Sequence, residues 1–534
     1  MATLNAPLRT EPADAALPVN ARLVRTSRVR TASGSEVALT SLPNTPLKPE
    51  LFELATAAVH DGLARLRGLI ASTPHLHISG PYRWYEVSVR ENGLPSFSEG
   101  NSSAPLAYSS LFGGSAGREI DRTTINSFRL FVDALVADCD YQAMSRYRFR
   151  QDIEISNEKM VQLILPFAEA TPAQLVEQYQ TVYQNAEFDL VRFLPLYLRW
   201  EEEYFADQVP IDVVVPLLMI QAEFDEFRFG THVVIRRMDT RFQRERATLL
   251  HSEHHVHEWA AQAATHAVVI EGRSLSRAKR FSLTGYPWEV EDSEAVPITL
   301  VERVLASIRI ATGFNTGYAQ VLIHYRYVNS EHSDSFQPDI HGIPVRRYPV
   351  SFDHWGWLRP TPIITVSQAE DAAHLFGPLE QVPESSTLAI AARRINDCYL
   401  RDRKDDAILD AVIAFETLLS DDEHQELTHK LALRVAAILK REPNPPKSPV
   451  EAFSEIKRIY AYRSKLVHGK SKEVGKYLAK YFGGDANRPL AAALDYLRFV
   501  MRFLLQNEKY RNPAEIDRHL LIGGDEIEAS PDEE

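Results

Sequence analysis

The feature that most constrains the fold is a succession of apolar stripes at helical spacing in the last part of the chain. Apolar residues recur there every three or four positions, which is the pattern of helices that bury one face. The connections between the stripes are short, and short connections favour antiparallel neighbours in a bundle. The predicted helices span residues 388–399, 405–419, 427–439, 448–470 and 490–505. We therefore predict an all-α helical bundle over residues 383–515.

The region before this bundle has a different pattern. Runs rich in apolar and β-branched residues predict strands at 148–155, 211–220 and 231–238. An apolar stripe over residues 301–312 predicts a helix, residues 255–270 are helix-like, and residues 329–362 are typical of a loop.

These patterns together predict an α+β multidomain protein, and a length of 534 residues fits that organisation. We expect a loosely ordered start over residues 1–47, a strand-rich mixed α/β region over residues 48–380, the bundle, and an acidic tail over residues 516–534.

Composition indicates a cytoplasmic protein. Cys139 and Cys398 are the two cysteines of the chain, too few for a disulfide framework, which suits a reducing compartment. The first residues lack the pattern of a signal peptide, and the most apolar run, residues 209–220, is too short to span a bilayer. The net charge of −13 argues against a chain coated in nucleic acid, although a local basic patch remains compatible with it.

The predicted helix over residues 448–470 carries the strongest candidates for chemistry. Ser448 and Glu451 fit a capping box, and Gly469 fits the position after the last turn. Arg463 lies on the apolar stripe, where a buried charge needs a partner. His468 is five positions further on, about 140° round an ideal helix. The two side chains could therefore converge if the last turn unwinds, or across a dimer interface.

An arginine and a histidine at one helix end suit phosphate chemistry. Arg463 is a candidate for contact with a phosphate and its transition state, because a guanidinium matches phosphate oxygens. His468 is a candidate for proton transfer, since imidazole can give or take a proton near neutral pH. Basic residues surround the pair and predict an RNA-binding patch: Lys457, Arg458, Lys465, Lys470 and Lys472. The alternative is a solvated helix face followed by a lysine-rich loop.

Three segments, residues 409–419, 427–439 and 459–470, resemble in that order the Apea-like HEPN family of the HEPN superfamily. Arg463, Ser464 and His468 match the R-x4-H motif of that superfamily. The resemblance covers the C-terminal region and implies metal-independent RNA cleavage without a cofactor. The 2′-hydroxyl of the substrate would attack the neighbouring phosphate and leave a 2′,3′-cyclic phosphate and a 5′-hydroxyl.

The resemblance also implies partners. HEPN sites are commonly formed by two protomers, so we expect a homodimer through the bundle. Proteins of this type are often anti-phage defence or abortive-infection effectors. By this analogy residues 48–380 would recognise a phage-derived trigger and release the nuclease on RNA, with tRNA a plausible target.

Several alternatives stay open. Glu416 could orient Arg463 or His468, or form a structural ion pair with Arg434, and Asp410 is expected to be exposed or to cap a helix. The bundle could be a non-catalytic HEPN module for dimerisation or ligand binding. A third reading places a metal-dependent enzyme in the N-terminal region, with ligands drawn from a histidine cluster: His251, Glu253, His254, His255, His257, Glu258 and His266. No metal is expected at the Arg463–His468 site.

Overall fold

The fold was taken from a computed structural model of the chain. The structure describes residues 28–30, 36–38, 45–73, 76, 78, 84–100, 106–113, 120–148, 156–184, 187–250, 256–276, 296–326, 339–421, 426–441, 447–469 and 471–523. Most of the segment over residues 1–47 lies outside these ranges, as do residues 149–155 of the strand predicted over residues 148–155.

The first part of the described chain is mainly helical. The helices are α1 (Pro49–Ser72), α2 (Asn126–Ala137), α3 (Cys139–Arg148), α4 (Asn157–Tyr183) and α5 (Leu190–Phe205). Their apolar faces share one core that contains Phe52, Phe131, Phe193 and Trp200. Two antiparallel hairpins also lie here, β1 (Arg28–Arg30) with β2 (Glu36–Ala38), and β3 (Tyr85–Val89) with β4 (Pro95–Glu99). The expectation of a strand-rich region from residue 48 is thus wrong for its first half.

The second part is built on a six-stranded antiparallel sheet, whose order is β11-β10-β5-β9-β8-β7. The strands are β5 (Gln208–Pro216), β7 (Glu226–Arg228), β8 (Val233–Arg237), β9 (His266–Ser276), β10 (Tyr318–Tyr325) and β11 (Ile340–Arg347). A short parallel pair joins β6 (Gln221–Ala222) to β12 (Ile363–Ile364).

The central strands are buried on both faces. Val213 and Val215 of β5 enter one core, and Val214 between them enters the other. The first face is covered by α8 (Ile298–Thr312) and α9 (Val366–Gln381), and the second by α6 (Thr240–Thr248), α7 (Glu258–Gln262) and the β3–β4 hairpin.

Burial on both faces removes the alternation that marks a strand, which explains the first of two errors of prediction. The stretch 255–270 is helical only in α7 and continues into β9. The predicted loop over residues 329–362 contains β11.

The C-terminal region is helical, as the sequence predicts. It contains α10 (Thr387–Leu400), α11 (Lys404–Leu419), α12 (Leu427–Lys440), α13 (Pro449–Val467) and α15 (Asn487–Gln506) at the predicted places. A further helix, α14 (Ser471–Phe482), lies where the alternative interpretation of the basic residues has a lysine-rich loop. The bundle core also takes in Ala306 and Ile310 of α8 and Leu375 and Leu379 of α9, so packing continues across residue 383.

The segment from the end of α15 to Leu521 belongs to the bundle, whereas the sequence predicts an acidic tail from residue 516. Helix α16 (Pro513–Ile516) runs into one π-helical turn, Asp517–Leu521, and Ile516 is fully buried in the bundle core. Arg434 holds this turn through Asp517 at 2.5 Å. Residues 524–534 lie outside the described part of the chain. None of the described helices is both long and apolar enough to cross a membrane.

Candidate functional site

Helix α13 positions the candidate arginine and histidine, and its two ends form as the sequence predicts. The Ser448 hydroxyl accepts a hydrogen bond from the Glu451 backbone N–H at 3.3 Å, and the Glu451 carboxylate accepts one from the Ser448 N–H at 3.0 Å. These two bonds satisfy donors that a helix start leaves free. At the other end Gly469 has φ +65°, which a residue without Cβ adopts at low cost.

Arg463 lies half-buried on α13 beside Tyr460 and Glu416 of α11. Burial raises the pKa of Tyr460 well above its ordinary value, the Glu416 charge raises it further, and the Arg463 charge opposes the shift. The Tyr460 hydroxyl and the Arg463 Nε are both covered, and neither has a hydrogen-bond partner within the described ranges. The site thus contains an arginine Nε and a phenol hydroxyl that are buried and form no hydrogen bond with the described residues.

The charge of Glu416 acts on Tyr460, but Glu416 forms no ion pair with Arg463 within 4.0 Å among the residues described. The alternative pairing of Glu416 with Arg434 is wrong. Arg434 is 1% exposed, and its guanidinium pairs with Asp421 at 2.6 Å and with Asp517 at 2.5 Å. The charge of Glu416 therefore acts near Tyr460 and Arg463.

Asp410 is also placed differently from the expectation. It is 3% exposed and forms ion pairs with Arg394 at 2.8 Å and Arg401 at 2.7 Å. Because both partners come from the end of α10 and the turn after it, Asp410 is a structural residue that joins α10 to α11.

His468 is exposed and follows directly after the last residue of α13. Its backbone N–H still donates to the Ser464 carbonyl at 3.1 Å, so the helix stays regular up to this residue. The last turn therefore does not unwind to bring His468 towards Arg463. No hydrogen bond joins the two side chains in the part of the chain described, and Ser464 is exposed between them.

The basic residues share a surface with aromatic rings of α14, a feature that the sequence reading missed. Arg458 lies 5.3 Å and Lys480 4.9 Å from the Tyr481 ring, and Lys465 lies 5.6 Å from the Tyr477 ring. The two tyrosine rings are 4.6 Å apart. We call this set the α13–α14 surface.

Of the other predicted basic residues, Lys457 and Lys472 are described and exposed, and Lys470 is not among the described residues. Lys457 lies 5.2 Å from the Phe453 ring. Lys465 also pairs with Glu473 at 3.2 Å. The spacing of Val474, Tyr477, Leu478 and Tyr481 was the signal for α14, because it is an apolar helical stripe.

The histidine cluster is not assembled by the residues that the structure describes. His251, Glu253, His254 and His255 lie outside them. His266 is in β9, and its two ring nitrogens bond to Thr265 Oγ1 at 2.8 Å and to the Phe224 carbonyl at 2.9 Å. Burial lowers the pKa of His266, which suits a neutral structural residue.

One other acidic group could be considered for a metal. Asp138, Cys139 and Asp140 lie close together, but the Lys48 ammonium contacts Asp138 at 2.8 Å and Asp140 at 2.7 Å. A lysine in that position neutralises the carboxylates and ties the start of α1 to the start of α3.

The fold and the site define a mixed α/β protein with antiparallel sheets, whose helical C-terminal region presents an arginine, a histidine and a basic aromatic surface. In comparisons with protein-family models, with curated proteins and with solved structures, no match to this chain was found. The resemblance to HEPN domains therefore stays a prediction.

Proposed function

We propose that this chain is a metal-independent endoribonuclease that cleaves RNA at a site formed by Arg463 and His468. The observation that carries the proposal is the partial burial of the Arg463 guanidinium with its Nε unpaired among the described residues. The guanidinium lies beside Tyr460. A covered donor without an acceptor costs about 1–3 kcal/mol, which a phosphate oxygen would recover once a small shift of the guanidinium exposes the Nε.

The reaction needs two proton transfers and stabilisation of one charge. The 2′-oxygen attacks the neighbouring phosphorus, the bond from phosphorus to the 5′-oxygen breaks, and a 2′,3′-cyclic phosphate forms. The 2′-hydroxyl loses a proton and the leaving 5′-oxygen gains one. His468, exposed at the end of α13, is assigned to proton transfer, and Arg463 to the charge on the phosphate. Ser464 and Glu416 are assigned supporting roles, and no metal or cofactor takes part.

The α13–α14 surface supports RNA as the substrate. Cationic groups next to exposed rings can bind a phosphate backbone and stack unpaired bases. Lys457, Arg458, Lys465 and Lys472 are described members of the predicted patch, and Tyr477 and Tyr481 add the rings. A single-stranded region, such as a tRNA loop, fits such a surface.

The regular end of α13 favours a homodimer as the active form. Within one chain no hydrogen bond joins Arg463 to His468 in the described part, and an unwound last turn is absent there. We infer that His468 of one protomer acts with Arg463 of its partner on one phosphate. The dimer would be formed through the bundle.

The biological role follows by analogy with HEPN effectors. We propose a cytoplasmic anti-phage or abortive-infection effector in which the region over residues 48–380 receives a phage-derived trigger. The Cys139 and Cys398 thiols are free, which is compatible with that compartment.

The test is cleavage of a tRNA mixture by the full chain in the presence of EDTA. We expect products with 2′,3′-cyclic phosphate ends, and a fall of about 100-fold or more in rate for His468→Ala and Arg463→Ala, because general acid–base catalysis contributes about 10²–10⁴-fold. Matched controls are His374→Ala and Arg393→Ala, which change exposed residues of α9 and α10.

Equal activity of wild type and both site variants would assign the cleavage to a contaminant. Absence of cleavage, combined with a dimer that survives in both variants, would favour the non-catalytic module instead. Cleavage abolished by EDTA would favour a metal-dependent enzyme elsewhere in the chain.

A further inference from the structure

A row of aromatic rings lies on the face of the sheet that carries α6 and α7. The rings of Trp355, Trp357 and Trp259 follow one another, with centroids 5.7 Å and 6.2 Å apart. The His257 imidazole stacks on Trp357 at 4.8 Å. Trp357 is 4% exposed, whereas Trp259 is 44% and Trp355 68% exposed. The row thus has two partly exposed indoles beside a buried third, and Trp355 is the more exposed of the two.

The base of this row is fixed by hydrogen bonds from the β3–β4 hairpin. The Asn92 amide donates to the carbonyls of Trp357 at 2.8 Å and Arg359 at 2.9 Å. The Gln221 amide in turn donates to the Asn92 carbonyl at 2.8 Å. These bonds fix the backbone on either side of Leu358, and a fixed backbone loses little conformational freedom when a ligand binds.

Trp355 adopts a backbone conformation that its side chain disfavours. Its φ of 60° and ψ of 23° lie in the left-handed region, which costs a residue with a Cβ roughly 1–2 kcal/mol. A bulky residue there is rare, and such strain concentrates at ligand-binding and catalytic sites. The result is an indole held away from the core.

The guanidinium of Arg90 places a positive charge next to the rings. It lies 5.0 Å from the Trp259 ring, and its Nε and Nη2 are covered without a hydrogen-bond partner in the described part of the chain. The same holds for His257 Nδ1. Burial lowers the pKa of Arg90, because it disfavours the charged form. An anionic group beside Arg90 would offset that cost, and a small shift of the guanidinium would let its covered donors reach the anion.

We propose that Trp355, Trp259 and Arg90 form a nucleotide-binding site, in which an indole stacks on the base and the guanidinium binds the phosphate. Stacking on aromatic side chains suits every base, since each has a flat π face. A neutral sugar could also lie on an indole, but it would leave the Arg90 charge uncompensated. The site is separate in the chain from Arg463 and His468, and its existence does not depend on ribonuclease activity.

The test is calorimetric titration of the full chain with AMP, GMP, CMP and UMP, and with adenosine and ribose 5-phosphate. We expect at least one mononucleotide to bind saturably, and the matching nucleoside and the sugar phosphate to bind at least 10-fold more weakly, since each lacks one of the two contacts. Trp355→Ala and Trp259→Ala should each weaken binding about 5- to 150-fold, the range for loss of one stacking contact. Arg90→Ala should weaken the nucleotide but leave adenosine unchanged.

Two pairs of controls make the result specific. Phe167→Ala and Arg65→Ala change an exposed ring and an exposed arginine elsewhere, and should bind as wild type does. His374→Ala and Arg393→Ala, which change exposed residues of α9 and α10, should also bind as wild type does.

The proposal is overturned if none of the four mononucleotides binds at millimolar concentration. It is overturned as well if folded Trp355→Ala and Arg90→Ala variants, checked by circular dichroism, bind as wild type does. Equal binding of AMP and adenosine would remove the role of Arg90.

Discussion

At the scale of single residues, the candidate site is defined by polar groups without partners. Tyr460 is 7% exposed, and its hydroxyl has no hydrogen-bond partner within the described ranges. The charges of Glu416 and Arg463 both act on this phenol, and a small local shift would bring its hydroxyl to a bound substrate. Its position on an apolar helical stripe is typical of a core residue, and only the fold brings the charge of Glu416 to act on it.

Tyr460→Phe tests this reading, because it removes the hydroxyl and keeps the ring. We expect the free energy of unfolding to stay equal or to rise by about 1 kcal/mol, since a buried unpaired hydroxyl is lost. We expect RNA cleavage to fall. Urea unfolding and initial cleavage rates measure the two effects, with Tyr462→Phe as the control on the same helix. A large loss of stability would mean that the hydroxyl is a structural hydrogen-bonding group.

A second prediction at the scale of single residues concerns how the free energy of unfolding depends on pH. Burial lowers the pKa of His324 from its ordinary value of 6.5 to about 4, and the charges of Arg326 and Arg241 act in the same direction. Asp339 and Asp239 oppose the shift. Between these two values the unfolded chain binds the proton and the folded chain does not, so stability falls as the pH falls.

His324→Gln should therefore reduce the loss of unfolding free energy between pH 7 and pH 5 by about 2 kcal/mol, by proton linkage. The measurement is urea unfolding at both pH values, with His374→Ala as the exposed control. An unchanged pH dependence would show that His324 becomes protonated in the folded protein as readily as in the unfolded chain.

At the scale of elements, the amphipathic helices of the bundle were predictable, whereas the strands were predictable only in part. Helices α10 to α13 and α15 each bury one face, which leaves a 3.6-residue pattern in the sequence. Strand β9 was missed because burial of both its faces hides the two-residue period, and β11 because Gly342 and Pro344 within it are typical of a loop. Helix α14 was not predicted, because its lysines are typical of an exposed loop, although its apolar residues recur at helical spacing.

Helix α14 also carries the element-scale prediction. Tyr481 is 37% exposed and lies beside Arg458 and Lys480. Tyr481→Ala should weaken binding of single-stranded RNA by about 1–3 kcal/mol if a base stacks there. Lys480→Ala should reduce the slope of log affinity against log salt by about 1. Fluorescence anisotropy at several salt concentrations separates these effects, and Lys404→Ala, an exposed lysine of α11, is the control.

At the scale of the whole molecule, the sheet and the bundle are joined by packing and by charge. Glu302 of α8 accepts hydrogen bonds from Tyr318 at 2.8 Å, from Arg347 at 2.9 Å and from Asn396 of the bundle at 2.8 Å. Arg502 of α15 holds Asp371 of α9 with two bonds of 2.5 and 2.6 Å. Such contacts give the N-terminal region a direct mechanical link to the helices that surround α13.

This link predicts that the bundle depends on α9. Leu375 and Leu379 are fully buried in the bundle core, and burial of one leucine contributes about 1.5–3 kcal/mol, so removal of both would cost roughly 3–6 kcal/mol. A fragment over residues 383–523 should therefore unfold at a lower temperature, and less cooperatively, than one over residues 362–523. Thermal unfolding followed by circular dichroism compares them with the full chain. If the shorter fragment unfolds as cooperatively as the full chain, the bundle is an independent domain, and a trigger bound to the sheet could not act on α13 through α9.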